Sequence, residues 1–209
     1  MEKLKVAIIS TNIGKSPNEL SSCFIFEEAY RLAKQGVEIH IIRACREYTD
    51  KSYGMWYHGI EYSRLKTNLR ALKSIVKNVW AYPKKAIPMN LRTLVWENAY
   101  VNAVTKVVED YDIDVIHAHF AYPEGWVGLL AKKAVRKPFV VTLHGCDILM
   151  EPSIGYGIRL FKRYDILIRR VLNQADAVIV ASRAVYDEAS KVILDKKKIK
   201  LIPNGIGIV

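Results

Sequence analysis

The chain has 209 residues, enough for one large domain or two small ones, and its 51% hydrophobic content excludes a disordered polymer. Its longest apolar runs are far too short to span a membrane. Cys23, Cys45 and Cys146 are odd in number and lack C-x-x-C spacing, which argues against a disulfide framework or a cysteine zinc site and for a reducing, cytoplasmic setting.

The opening "MEKLKVAIIS" has an apolar part too short for a signal peptide and no small-residue cleavage site after it. Leu4–Ser10 reads instead as a strand buried on both faces. A loop with Gly14 and Pro17 follows. Ser21 or Ser22 is expected to cap a helix running to Gln35, with Gly36 ending it. Val37–Arg43 is the second strand, and a short third is expected near Gly59–Ser63. Leu65, Leu69, Leu72, Val76 and Val79 mark one helix; Trp96, Ala99, Tyr100, Ala103 and Val107 mark the next. Then strands and helices alternate: strand Ile113–Ala118, helix Glu124–Val135, strand Phe139–Leu143, helix Ile158–Leu172, strand Ala177–Ala181, helix Ala184–Leu194 and strand Ile199–Ile202. This order implies βαβ crossovers, and so a single Rossmann-like α/β domain: a mostly parallel, doubly wound sheet with helices on both faces. Ligands of such sheets bind beyond the carboxyl ends of the strands.

The residues at those ends carry several readings. "GKS" at 14–16 has the end of a nucleoside-triphosphate loop, but Ile9 stands where the first glycine belongs. What remains is a glycine and a lysine near a helix start, where backbone N–H groups attract anions. "HAH" at 117–119 places two imidazoles on one strand face. With His144 or Asp147 they suggest a metal hydrolase; bonded to backbone they are structural. In "HGCD" at 144–147, Gly145 admits close approach of a ligand, Asp147 suits a local turn, and His144 is either catalytic or structural.

The net charge of +11 is uneven. No acidic residue lies between Glu61 and Glu97, while Arg64, Lys66, Arg70, Lys73, Lys77, Lys84, Lys85 and Arg92 fall in that window. Lys66, Arg70, Lys73 and Lys77 run one residue behind the apolar stripe of the first middle helix, with Trp80, Tyr82, Trp56 and Tyr57 near in sequence. Such a helix suits an anionic membrane surface; the competing reading buries the apolar stripe and leaves a solvated basic flank. The window matches no nucleic-acid-binding motif, and no nucleic-acid partner is expected.

"DVIHAHFAYPEGWVGLLAKKAVRKPFVVTLHGCDI", "ADAVIVASRAVYDEA" and "KIKLIPNGI", in that order, resemble the N-terminal, acceptor-side half of glycosyltransferase family 4, retaining enzymes of the GT-B type. The resemblance covers nearly the whole chain, with 48–110 generic. It implies a hexosyltransferase that moves a sugar from a nucleotide-sugar to a hydroxyl of a glycan or lipid-linked acceptor, without a metal or other cofactor. It implies that His144 meets the transferred sugar. Gly14 and Lys15 match the loop near the donor diphosphate, without the usual glycine pair. Phe120, Tyr122 and Glu124 fall in the segment that sets acceptor choice. Asn204 and Gly205 match the "PNG" leading to the second domain, although Gly207 stands where an aspartate is common. That nucleotide-sugar-binding domain is expected to be missing from 1–209, leaving a half that does not turn over donor alone. The rival classes are a metal hydrolase using His117, His119 and His144, and a saccharide-binding module.

Overall fold

A computed structural model describes residues 3–14, 16, 23–44, 48–60, 65–86 and 90–205, the side chains of 65–69 excepted. Lys15 and the side chain of Lys66 therefore lie outside the described residues, as do Ser21 and Ser22.

Eight strands form one sheet: β1 (Lys5–Ile9), β2 (Glu38–Arg43), β3 (Tyr48–Ser52), β4 (Met55–Gly59), β5 (Val115–His119), β6 (Phe139–Leu143), β7 (Ala177–Val180) and β8 (Ile199–Leu201). Their order across the sheet is β3-β4-β2-β1-β5-β6-β7-β8, and every pairing is parallel except β3 with β4. The apolar runs KVAII, EIHIIR and FVVTL supply strands of this kind because both of their faces are covered. Among the described residues six α-helices complete the fold: α1 (Cys23–Lys34), α2 (Leu65–Asn78), α3 (Leu91–Asp110), α4 (Glu124–Val135), α5 (Lys162–Gln174) and α6 (Arg183–Val192).

Two cores sit on opposite faces. Val6, Ile8, Ile39, Ile41, Met55 and Tyr57 pack with Ile25, Phe26 and Ala29 of α1. Ala7, Ile9, Ile116, Ala118, Val141 and Val180 face the other way, against α3, α4, α5 and α6. Alternate residues of one strand thus serve different cores, as the period of two requires. Among the described residues, no helix is long and apolar enough to cross a membrane.

Two sequence expectations differ from the structure. The third strand is expected near Gly59–Ser63, of which 61–63 lie outside the described residues; the strand described beside it is Met55–Gly59, which forms a hairpin with β3. Tyr53 and Gly54, at φ 51° and 78°, make the two-residue turn whose twist suits a hairpin. The strand "YTDKS" is polar because it is an edge strand, exposed along most of its length, so no apolar run announces it. α5 starts at Lys162 rather than Ile158, after a 3-10 turn over Ile158–Leu160 that follows Gly157 at φ 105°.

For α2 the sequence leaves two readings, an apolar stripe against the core or one on a membrane surface. Leu72 and Val76 of that stripe are 45% and 72% exposed, while Ala71 is fully buried, and the side chains of Leu65 and Leu69 lie outside the described residues. The described part of the helix docks through Ala71, Ser74, Ile75 and Asn78. Ser74 Oγ donates to Asn98 Oδ1 at 3.2 Å, and Asn78 Nδ2 donates to the same oxygen at 2.9 Å. Of the aromatic residues near it in sequence, Tyr57 and Tyr82 are buried, whereas Trp80 is 89% exposed.

Candidate active site

The strand order reverses direction at β1, which pairs with β2 on one side and β5 on the other. This is the switch point at which two βα loops diverge and leave a crevice at the carboxyl edge. Three loops meet there: the one after β1, the one from β5 to α4, and the one after β6.

The loops are tied by carboxyl groups. Glu124, the first residue of α4, accepts hydrogen bonds from both Thr11 N, at 3.0 Å, and Thr11 Oγ1, which fixes the β1 loop to the β5 loop. Burial pushes the Glu124 pKa up, and the Thr11 hydrogen bonds restrain that rise. Its second oxygen, Oε2, is buried and has no hydrogen-bond partner among the described residues. Asp147 accepts from Ala121 N at 2.9 Å and from His144 N and Gly145 N at 3.1 and 3.0 Å. It therefore serves the expected local turn and also fastens the β5 loop to the β6 loop. Burial pushes its pKa up against the pull of these backbone donors. Gly145, at φ 119°, adopts a backbone conformation that a side chain would strain.

His144 stands half-buried at this edge. Its Nε2 lies 3.1 Å from His119 Nδ1, and its ring packs against Phe24 at 4.7 Å and Phe120 at 4.6 Å. Burial lowers its pKa to about 4, so the ring is neutral at pH 7. His119 is fully buried, its pKa held well below the usual value by burial and by His117 and His144. His117 is buried too, its Nε2 2.7 Å from Thr142 Oγ1 and its pKa lowered to about 4. Register explains the grouping: His117 pairs with Val140 and His119 with Thr142, so these side chains share the face toward α1.

The three histidines do not form the open ligand set expected for a metal hydrolase, because His144 is paired with His119. The donor group that the fold assembles is Glu28, His117 and His119, with ligand atoms within 4.8 Å of one another. Glu28 comes from α1, and no spacing in the sequence links it to strand β5. Burial raises its pKa to about 7.

The remaining expected residues fall as follows. Gly14 is buried in the β1 loop. Phe120, at φ 74°, packs on His144. Tyr122 is turned inward: its hydroxyl donates to Glu97 Oε1 at 2.6 Å, beside Tyr82, which donates to Glu97 Oε2 at 2.7 Å. Asn204 and Gly205 are exposed and line a groove of about 450 Å³ that also reaches Glu28, His117 and Thr142. Glu28, Glu97 and the tie between Thr11 and Glu124 were not foreseen, since each rests on a contact distant in sequence.

These features define an α/β domain with a polar ligand edge, in the form of one half of a GT-B fold. The profile of Glycosyltransferase Family 4 matches residues 24–208, and the chain belongs to that family. It is 31% identical over 109 residues to the putative teichuronic acid biosynthesis glycosyltransferase TuaC of Bacillus subtilis, covering 51% of this chain and 26% of that protein. It is 26% identical over 183 residues to N-acetyl-alpha-D-glucosaminyl L-malate synthase of Bacillus anthracis, covering 84% of this chain and 39% of that protein. Among solved structures, sucrose-phosphate synthase of Thermosynechococcus elongatus superposes with a TM-score of 0.65 at 16% identity, over 96% of this chain and 48% of that one. Anabaena Alr3699/HepE, solved with UDP and glucose, gives 0.59 at 15% identity, over 97% of this chain and 45% of that one. The chain thus spans about half or less of the length of these proteins.

Proposed function

We propose that this chain is the acceptor-side half of a retaining glycosyltransferase, a hexosyltransferase that moves a sugar from a nucleotide-sugar to a hydroxyl of a glycan or lipid-linked acceptor. The observation that carries this reading is the neutral His144, half-buried at the switch-point edge and backed by His119. Membership of Glycosyltransferase Family 4 supports it, and so does the likeness to a structure solved with UDP and glucose.

In this reading a nucleotide-sugar-binding domain supplies the other wall of the cleft, and Asn204 and Gly205 lead toward it. Gly14 and Lys15 approach the donor diphosphate. Phe120 and the free oxygen of Glu124 face the acceptor side, with Tyr122 acting through Glu97. The bond from the anomeric carbon to the diphosphate breaks as the bond to the acceptor oxygen forms. The acceptor's proton passes to the leaving diphosphate, so no side-chain nucleophile, resident metal or other cofactor is required.

His144 acts by orientation and hydrogen bonding rather than as a base. His119 Nε2 is buried without a hydrogen-bond partner among the described residues. A buried N–H without an acceptor is the rarer state, so the proton sits on His119 Nδ1 and is given to His144 Nε2. His144 Nδ1 then carries a proton and donates toward the sugar.

The exposed arc of α2 supports a membrane role at the cytoplasmic face. Leu72 and Val76 lie about 40° apart on the helix surface, Lys73, Lys77 and Arg70 occupy a neighbouring arc of roughly 60°, and the exposed Trp80 follows in the 3-10 turn Val79–Ala81. An apolar strip beside a basic one matches an anionic bilayer surface, and Lys66 belongs to the same sequence stripe.

The test is the anomeric configuration of the product. A protein joining this chain to a nucleotide-sugar-binding domain is given nucleotide-sugars and acceptor, and the product is read by proton NMR. Retention is expected and inversion refutes the mechanism. Robust transfer by 1–209 alone would refute the division of labour.

A further inference from the structure

A second polar cluster lies at the other end of the sheet, outside the site described above. Glu38 begins β2, His40 follows two residues later on the same face, and His58 sits diagonally across on β4, opposite Ile42. Glu38 Oε1 lies 3.0 Å from His40 Nε2, and His40 Nδ1 lies 3.0 Å from His58 Nε2. The two rings are nearly coplanar, 3° apart, and Tyr111 covers both at 4.6 and 5.0 Å. His40 is fully buried and His58 nearly so. Neither core needs two imidazoles here, and a buried polar chain costs stability unless every member is satisfied.

The carboxylate fixes the direction of this chain. Glu38, its pKa lowered chiefly by the hydrogen bond from His40, is ionised and only accepts. His40 therefore carries its proton on Nε2 and leaves Nδ1 bare. His58 must donate from Nε2 to that nitrogen. Burial lowers the pKa of both rings, His58 to about 4, so both are neutral at pH 7. His58 Nδ1 is then a lone-pair acceptor, and it has no hydrogen-bond partner among the described residues.

His58 lines a cavity of about 430 Å³ between the β3–β4 hairpin, α2 and α3. Ala103 and Val107 of α3 and the Tyr111 ring give it an apolar wall, and Asn102 adds an amide. Arg70 and Lys106 stand at its rim. Asp110 is also at the rim and pairs with Lys106, while Arg70 has no carboxylate partner among the described residues. Four strand spacings separate β4 from β6, about 19 Å at roughly 4.8 Å each, so this cavity is distinct from the His144 edge.

We infer that this cavity is a second ligand site, for a small organic anion that carries a hydroxyl: a phosphomonoester or a hydroxy acid. The hydroxyl donates to His58 Nδ1, and the anionic group meets Arg70 and Lys106. Neither group suffices alone, because a bare anion leaves the histidine lone pair unmet and a neutral polyol leaves the rim charge unmet.

The test uses the 209-residue chain and nitrogen-15 long-range NMR of its histidine rings. Without ligand, the proton of His58 is expected on Nε2, with Nδ1 bare. Glycerol 3-phosphate is expected to shift His58 and His40 and to leave His144 unmoved. Inorganic phosphate and glycerol, tested separately, are each expected to bind roughly tenfold or more weakly, and Arg70→Met, an exposed change, is expected to weaken glycerol 3-phosphate similarly. A proton on His58 Nδ1 overturns the inference. So does silence at His58 up to about 20 mM glycerol 3-phosphate, well above the range of a weak site. Equal binding of inorganic phosphate overturns the role given to the histidine.

Discussion

Replacing Asp147 tests whether the carboxyl edge is a built structure. Its two oxygens hold three backbone donors, Ala121 N on one loop and His144 N and Gly145 N on another. Asp147→Ala leaves all three without that acceptor. A buried unsatisfied N–H costs roughly 1–3 kcal/mol, so the gross loss is several kcal/mol. Relief from burying a carboxyl whose pKa is pushed up offsets part of it. The net expectation is a destabilisation of about 3–5 kcal/mol, or a Tm lower by about 10 °C for a chain of this size. Asp147→Asn keeps one oxygen for the His144 and Gly145 donors but sets an amide N–H against Ala121 N–H, so it should fall in between, near 2 kcal/mol. Urea unfolding with an unchanged m value measures both. The reasoning fails if Asp147→Ala lies within about 0.5 kcal/mol of wild type, the range of an ordinary surface change.

Three further outcomes follow from other contacts. Gly128→Ala puts a Cβ 2.4 Å from Phe139 Cε2, inside the core, and should cost about 1–3 kcal/mol of unfolding free energy; a stabilised variant would contradict the packing. Proton NMR titration of His58, His117 and His144 should show midpoints near 4 and no inflection around 6.5. These depressed values mean that the unfolded chain binds protons more readily, so their share of stability is present above about pH 6.5 and is lost as the pH falls through about 4. Finally, the chain should bind vesicles of phosphatidylglycerol over phosphatidylcholine at low salt, and Val76→Ser with Trp80→Ser should weaken that binding at least about tenfold. Equal partitioning onto both lipids would remove the membrane reading.

The parallel centre of the sheet was legible because β1, β2, β5, β6 and β7 are apolar enough to be buried on both faces. The edge was not. β3 is a polar strand recognised only by its pairing with β4. α2 stayed open for a different reason: its leucine and valine stripe has the right period, but the described contacts on the α3 side are made by Ala71, Ser74, Ile75 and Asn78. Periodicity locates a helix and not the face that a neighbour covers. At the site, the strand-end rule found His144 and Asp147. It could not find Glu28, the Thr11–Glu124 tie or the His119 pairing, since a strand end names which residues are near an edge and not which atoms meet across it.

The most direct measurement of the central claim is the kinetics of His144→Ala in a protein that joins this chain to a nucleotide-sugar-binding domain. If His144 orients the transferred sugar and donates to it in the transition state, kcat falls by about 100-fold or more while donor KM changes little. An unchanged kcat in a folded variant would contradict the account.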